Sequence, residues 1–261
     1  MNILVCIKQV PGTTEVKINK ETNTLVREGA KGIINPFDTY AIEEGVKLKE
    51  RFSGKVTVLT MGPPQAEASL RESIEVGADE GILISDRAFA GSDTLATSYV
   101  LSKAIAKIGS YDLIIVGKQT MDGDTGQVGP EIAQRLGVPF VAYVSAVEEI
   151  TDGKIRARQM IDEGYQIVES PLPCVMSVSK EINAPRLPSI RGKMKAKSAK
   201  LANWTARDLG AEENKIGSTG SPTWVMQIFS PKRDHQSEMF QGDAESKVSK
   251  LTQKLSEMKV I

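Results

Sequence analysis

The sequence has little of what most catalytic and metal chemistry needs. It holds one histidine, His235, and two cysteines, Cys6 and Cys174, among 261 residues. A lone histidine in a polar stretch leaves nothing from which to assemble a histidine-based triad. Two isolated cysteines cannot build a zinc or iron–sulfur centre. Each sits in an apolar run, where a buried small thiol in a reducing compartment is the expected role. No apolar run approaches the roughly 20 residues that span a bilayer. The first five residues carry neither the basic segment nor the cleavage site of a secretory signal. A cytoplasmic protein with no membrane span is therefore expected. Lys plus Arg and Asp plus Glu number 33 each, so no net charge draws the chain to nucleic acid or to an anionic membrane.

What is present is alternation. Short apolar runs at residues 3–7, 56–60, 81–85, 113–116 and 138–144 read as buried strands. Helical patterns lie between them. One opens at Asn35-Pro36-Phe37-Asp38, with Asn35 as cap, Pro36 in the first turn, and Ala41, Gly45, Leu48 and Phe52 on one face. Others cover about residues 65–76 and 95–108, the latter capped by Asp93-Thr94 with Leu95, Tyr99, Ser102 and Ala106 along one side, and a last one covers 131–136. Residues 8–12 read as a loop, and residues 16–18 and 24–26 as a small hairpin. Such alternation gives an α/β fold, a parallel sheet with crossover helices. Residues 145–150, 154–160 and 165–169 resemble an antiparallel meander, and 174–178 return as a sheet strand.

Ligands of parallel sheets bind beyond the carboxyl ends of the strands. The loops leaving that edge are residues 8–12, 61–64, 86–94 and 117–130, and the last two are long enough to carry function. The fourth runs from Gly117 to Pro130 between a buried strand and a helix start. Its glycines let backbone approach a ligand, and free N–H groups at a helix start point at an anion. It matches neither a Walker loop nor GxGxxG. A plain long connection is the competing reading.

Residues 183–197 carry two prolines, many cations and scattered apolar side chains, a composition not expected to make a core element. They read as a solvated connector or as a docking segment that offers Leu187 or Ile190 to a partner. Residues 211–241 are polar, although Trp204, Trp224 and Phe229 in this part of the chain would be costly to leave wet. They read as an arm that packs on another subunit. Asp243 caps a last helix with Val248, Leu251, Leu255 and Met258 on one face.

Several motifs together resemble one family: Val5-Cys6-Ile7-Lys8-Gln9-Val10-Pro11, Asn35-Pro36-Phe37-Asp38, Met61-Gly62-Pro63, Gly77-Ala78-Asp79, Gly117-Lys118-Gln119, and Asp122 to Gly129. They look like the β subunit of electron transfer flavoproteins, over nearly the whole chain. The resemblance implies an adenine nucleotide alpha hydrolase-like, Rossmann-type domain over residues 1–200. It also implies a recognition loop at about 183–197 that docks on dehydrogenases, and an arm with a helix, residues 201–261, embracing an α subunit that carries its own FAD.

The resemblance further implies the cofactor site. Cys6, Lys8, Asn35, Phe37, Asp38 and Met61 would contribute from the first two exit loops and the first helix. Asp93, Thr94 and Thr97 would contribute from the third loop. Gly117, Lys118, Gln119, Met121, Asp122, Gly123, Asp124, Thr125, Gly126, Gln127 and Val128 would come from the fourth. Leu187, Ile190 and Met194 would anchor the dehydrogenase. No residue need act as a catalytic acid, base or nucleophile, and no metal is implied.

The loops at 91–97 and 122–130 resemble the electron-bifurcating group. That implies a second FAD in this chain, which takes hydride from NADH. Electrons would pass to ferredoxin or flavodoxin and, through the α-subunit FAD, to an acyl-CoA dehydrogenase or a flavin-type 2-hydroxyacid dehydrogenase. Small residues at Gly91, Gly123 and Gly126 would leave room for a ring system. Asp93-Thr94 and Asp124-Thr125 would cap helices, and Asp122 or Asp124 would accept from ribose hydroxyls or serve as plain caps. Two alternatives stay open. One is a non-bifurcating member holding structural AMP and passing electrons between a dehydrogenase and a quinone reductase. The other is a stand-alone nucleotide-sensing protein of similar fold.

Overall fold

The computed structural model describes residues 1–12, 17–19, 24–26, 32–226 and 237–261. Val16, Phe229 and His235, named above, lie outside the described residues. Two compact units divide the chain, Met1–Met226 and Gln227–Ile261.

The strands of the first unit are β1 (Asn2–Ile7), β2 (Gln9–Pro11), β3 (Lys17–Asn19), β4 (Thr24–Val26), β5 (Gly32–Ile34), β6 (Lys55–Met61), β7 (Glu80–Ile84), β8 (Leu113–Gly117), β9 (Phe140–Thr151), β10 (Lys154–Ile161), β11 (Gly164–Pro171), β12 (Cys174–Val178) and β13 (Ala202–Trp204). Its helices are α1 (Pro36–Phe52), α2 (Glu67–Glu75), α3 (Thr94–Ile108), α4 (Val128–Leu136) and α5 (Ile190–Ser198).

One sheet runs in the order β11-β10-β9-β12-β8-β1-β6-β7-β13. From β9 to β13 every pairing is parallel, and the meander β9-β10-β11 is antiparallel. The expected fifth strand and the first strand of the meander are one continuous element, β9. Residues 8–12 are not all loop: Gln9–Pro11 pairs with Gly32–Ile34. The short hairpin pairs Lys17–Asn19 with Thr24–Val26 as expected.

Alternate side chains of β1 enter opposite faces, as the period of a strand demands. Ile3, Val5 and Ile7 pack with Ala41, Ile42 and Val46 of α1 and Leu70 and Ile74 of α2. Leu4 and Cys6 pack with Val100, Leu101 and Ile105 of α3 and Ile132 of α4. Both sheet faces are thus covered by helices, which is why the central strands read as unbroken apolar runs. The stripe expected on α3 is off by a fraction of a turn: Tyr99 and Ser102 are buried, but Leu95 and Ala106 are exposed. Ala96, Val100 and Ile105 face the core instead.

The first unit continues past residue 200. Ala202–Trp204 adds the edge strand beside β7, and Leu209 and Ile216 are buried in the second cluster. Trp204 is half-buried with the Lys107 ammonium 5.0 Å from its ring centre, whereas Trp224 is 76 % exposed.

The second unit holds α6 (Ala244–Glu257), whose Asp243 cap accepts from the Ser246 N–H at 2.8 Å. Val248, Leu251 and Met258 along it are exposed. Among the described residues no helix is long and apolar enough to cross a membrane.

Candidate functional site

β1 is the strand at which the sheet order reverses, with β6 on one side and β8 on the other. The crevice at such a switch point lies between the exits of the two flanking strands. Here those exits are Lys8, after β1, and Gly117 onward, after β8.

The loops meet through side chains. The Lys8 ammonium lies 2.7 Å from both carboxylate oxygens of Asp122. Burial alone would raise the Asp122 carboxyl, but this ammonium holds it below the usual range. The Lys8 N–H donates to Asp38 Oδ2 at 2.7 Å. Asn35 Nδ2 donates to the Gln119 carbonyl at 2.8 Å, and Asn35 Oδ1 accepts from the Met121 N–H at 3.1 Å. Asn35 therefore does not cap α1 with its side chain; the fourth loop takes both of its polar atoms. Asp38 is 4 % exposed, and burial pushes its carboxyl up to about 7 against the hydrogen bonds it accepts. Phe37 is half-buried beside it. Gly117 is obligatory here, because a Cβ would overlap Asp38 Oδ1 and sit 2.8 Å from the Phe37 carbonyl carbon.

Inside the fourth loop, Asp124 takes a left-handed backbone (φ 54°) and accepts from the Gln119 side-chain amide. Neither Asp122 nor Asp124 caps a helix. α4 begins at Val128 after Gln127, with no side chain capping it. Its early N–H groups are therefore the open donors on this loop. A Cβ on Gly123 would find only Thr120 Oγ1, at 3.3 Å, and Gly126 has φ 62°. Met121 and Thr125 are exposed. The Lys118 ammonium lies 5.1 Å from the Tyr143 ring centre.

The third loop joins at α3. Asp93 caps it, accepting from the Ala96 N–H at 3.0 Å, and its other oxygen accepts from the Thr223 hydroxyl at 2.8 Å. Thr94 Oγ1 lies 3.1 Å from both Gln127 Oε1 and Glu131 Oε1, so the starts of α3 and α4 touch. Thr97, half-buried on α3, donates its N–H to the Asp93 carbonyl. Gly91 is not free for a ligand: a Cβ there would meet Ser218 at 3.2 Å. Met61, half-buried, ends β6, and Cys6 is buried near the end of β1.

Two residues near the fourth loop escape sequence reasoning. Tyr143 has φ 51° at a register shift between β9 and β12; a bulge leaves no local mark in composition. Glu131 reads as a first-turn acid, yet its Oε2 is closed from solvent with no partner.

Residues 183–197 form more structure than their composition suggests. Ser189 caps α5, and Gly192 lets it press on the Glu75 carbonyl of α2. Ala196 is buried, while Leu187, Ile190 and Met194 are 88 %, 82 % and 69 % exposed. Arg186 ties the segment to Glu43 at 2.9 Å and Glu50 at 2.6 Å on α1. Asn183 donates to the Tyr40 carbonyl and to Glu44.

A family model described as "Electron transfer flavoprotein domain" matches residues 22–209. The chain is 47 % identical over 262 residues to "Electron transfer flavoprotein subunit beta" of Thermoanaerobacterium thermosaccharolyticum, covering all of both chains. It is 44 % identical over 263 residues to "Caffeyl-CoA reductase-Etf complex subunit CarD" of Acetobacterium woodii, again covering all of both. It is 45 % identical over 238 residues to "Protein FixA" of Bradyrhizobium diazoefficiens, covering 88 % of this chain and 83 % of the relative.

Proposed function

Because the chain belongs to the electron transfer flavoprotein family, as a β subunit that pairs with an α subunit, we propose that its switch-point cleft binds FAD within an NADH-oxidising, electron-bifurcating complex. FAD, when bound, supplies the redox chemistry: hydride from NADH, one electron onward to ferredoxin or flavodoxin, the other through the α-subunit FAD to a flavin dehydrogenase.

The observation that carries this reading is the fourth loop. It offers an uncapped helix start at Val128 and Gly129 together with a glycine, Gly123, whose missing Cβ leaves backbone open. Uncapped N–H groups suit a pyrophosphate. Lys8 adds a cation at the same edge, partly neutralised by Asp122. The full-length likeness to a subunit of a caffeyl-CoA reductase complex supports a role beside an acyl-CoA-type dehydrogenase, with a 2-hydroxyacid dehydrogenase as the other candidate. The exposure of Leu187, Ile190 and Met194 supports these three as the residues that would meet that partner. We assign the protein to the cytoplasm, where its two free thiols stay reduced.

The test is a ligand count. The αβ complex, purified without oxygen, should release two FAD per heterodimer and bleach with NADH. One FAD with one AMP per heterodimer overturns the reading.

A further inference from the structure

Asn35 and Asp38 open α1, and both are buried, at 0 % and 4 % exposed. Each reaches both loops that flank the switch point. Asn35 gives its backbone N–H to the Lys8 carbonyl at 2.8 Å, donates its side-chain amide to the Gln119 carbonyl, and accepts from the Met121 N–H on its side-chain oxygen. Asp38 accepts from the Lys8 N–H at 2.7 Å and from the Gly117 N–H. Lys8 is thus held through both of its backbone polar groups, and the fourth loop is held at three successive places: Gly117, Gln119 and Met121. Nothing fits between Asp38 and Gly117, where even a methyl group would overlap the carboxylate. A ligand in the cleft therefore cannot reach that carboxylate from the Gly117 side.

We propose that Asn35 and Asp38 are positioning residues: their side chains set the spacing of the first and fourth exit loops for a nucleotide and do not contact it. This rests on the reading of the cleft as a nucleotide site. It replaces the cofactor contact that the family resemblance implied for these two side chains.

The chemistry of the two residues differs, and that gives a signature. Asn35 carries no charge at any pH. Asp38 titrates near neutrality, its carboxyl pushed up to about 7 by burial and opposed by its N–H donors and by Lys8. The other groups facing it are the Asn35 side-chain amide, whose hydrogen bond also lowers it, Cys6, whose buried thiol stays protonated up to about 12, and Lys8, already paired with Asp122. Ionised, the Asp38 carboxylate accepts from both loops. Protonated, it gives up one acceptor site but escapes the cost of a buried charge, and its raised value makes the second effect the larger. The ordered loops therefore hold this proton more tightly than opened loops would, and loop order, with nucleotide affinity, falls as pH rises through about 7 in the unaltered protein.

The experiment uses the αβ complex stripped of nucleotide and titrated with AMP and with FAD at pH 6 and pH 8. Amide hydrogen exchange is followed at residue 8 and residues 117–121. Asp38→Asn, which sets an NH2 where an oxygen accepts, should weaken both ligands about tenfold at pH 6 and should abolish the pH dependence. Asn35→Ser should weaken them at both pH values while the pH dependence, which belongs to Asp38, remains. Both variants should speed exchange in both loops, which a local packing defect would not do. Should Asp38→Asn fail to assemble with the α subunit, Asn35→Ser carries the comparison. Unchanged affinity and exchange overturn the proposal, and so does an Asp38→Asn protein that keeps the pH dependence. If the unaltered complex binds neither AMP nor FAD, the nucleotide reading fails by itself. Loop exchange then decides the positioning claim: protection retained in both variants overturns it.

Discussion

The ammonium of Lys8 and the carboxylate of Asp122 meet at 2.7 Å across 114 positions of sequence. The contact gives Asp122 a role that neither a helix cap nor a ribose acceptor would. It sets a negative charge against the one lysine of the first loop, so part of that cation is already neutralised before any phosphate enters the cleft. Asp122→Asn should therefore release Lys8 and tighten AMP or FAD binding about threefold at low salt, the scale of a partly exposed pair. Lys8→Met should weaken binding. Both effects should fade at high ionic strength. Calorimetric titrations at two salt concentrations check this; an Asp122→Asn complex that binds more weakly would show that the pair acts as a latch rather than a competitor.

The glycines of the fourth loop should separate into structural and ligand-facing ones. Gly117→Ala forces a methyl onto Asp38 and the α1 backbone, neither of which is a flexible side-chain tip. Overpacking of that kind costs about 1–3 kcal/mol. Gly123→Ala meets only the Thr120 hydroxyl at 3.3 Å. It should leave thermal stability within about 0.5 kcal/mol while lowering nucleotide affinity. Melting curves and titrations of the two variants should move in opposite measurements.

Both thiols should be silent in the folded protein. Burial, with the Asp38 charge behind it, pushes Cys6 up to about 12, and burial pushes Cys174 up to about 11. Only the thiolate reacts, so at pH 8 alkylation should be slower than for a free cysteine by roughly three orders of magnitude at Cys6 and roughly two at Cys174. Both should label in denaturant. Rapid labelling of Cys6 alone under native conditions would mean that the end of β1 opens.

The core strands were legible because both sheet faces are covered, which turns Ile3–Ile7 and Leu113–Val116 into plain apolar runs. What escaped depends on distant partners or on very short elements. β13 is three residues long and exists only because β7 offers an edge. α5 was hidden because Leu187, Ile190 and Met194 belong to a surface, and its support comes from Ser189, Gly192 and Ala196 instead. Asn35 stands where a cap stands, so its sequence position predicts capping; only the folded chain brings Gln119 and Met121 to its side chain. In the cleft the residue types were readable, while their division into struts and open donors was not.

Arg186 should matter to the docking segment through a group it covers. Its guanidinium forks onto Glu43 and Glu50, and the Glu43 side chain is only 7 % exposed. Removing the arginine leaves the Glu43 carboxylate without its cation, and because the Arg186 side chain is itself 34 % exposed, water reaches the gap and the cost falls between an exposed and a buried pair, about 1–2 kcal/mol, so Arg186→Ala should destabilise. Lysine supplies one point charge and no fork, so Arg186→Lys should fall between. Glu50 faces solvent on the other prong, and Glu50→Gln should cost less than about 1 kcal/mol. The hydrogen bond from Arg186 holds the Glu50 carboxyl below its ordinary 4.5. A lowered folded value means that its contribution is present above about 4.5 and is lost as pH falls through that lower value. Urea unfolding at pH 7 should therefore rank the variants Arg186→Ala, Arg186→Lys, Glu50→Gln from largest to smallest loss. At pH 3.5 the Glu50→Gln difference should shrink. Equal losses for Arg186→Ala and Glu50→Gln would mean that the buried Glu43 prong carries nothing, and that the exposed apolar residues of the segment stand on the surface pair alone.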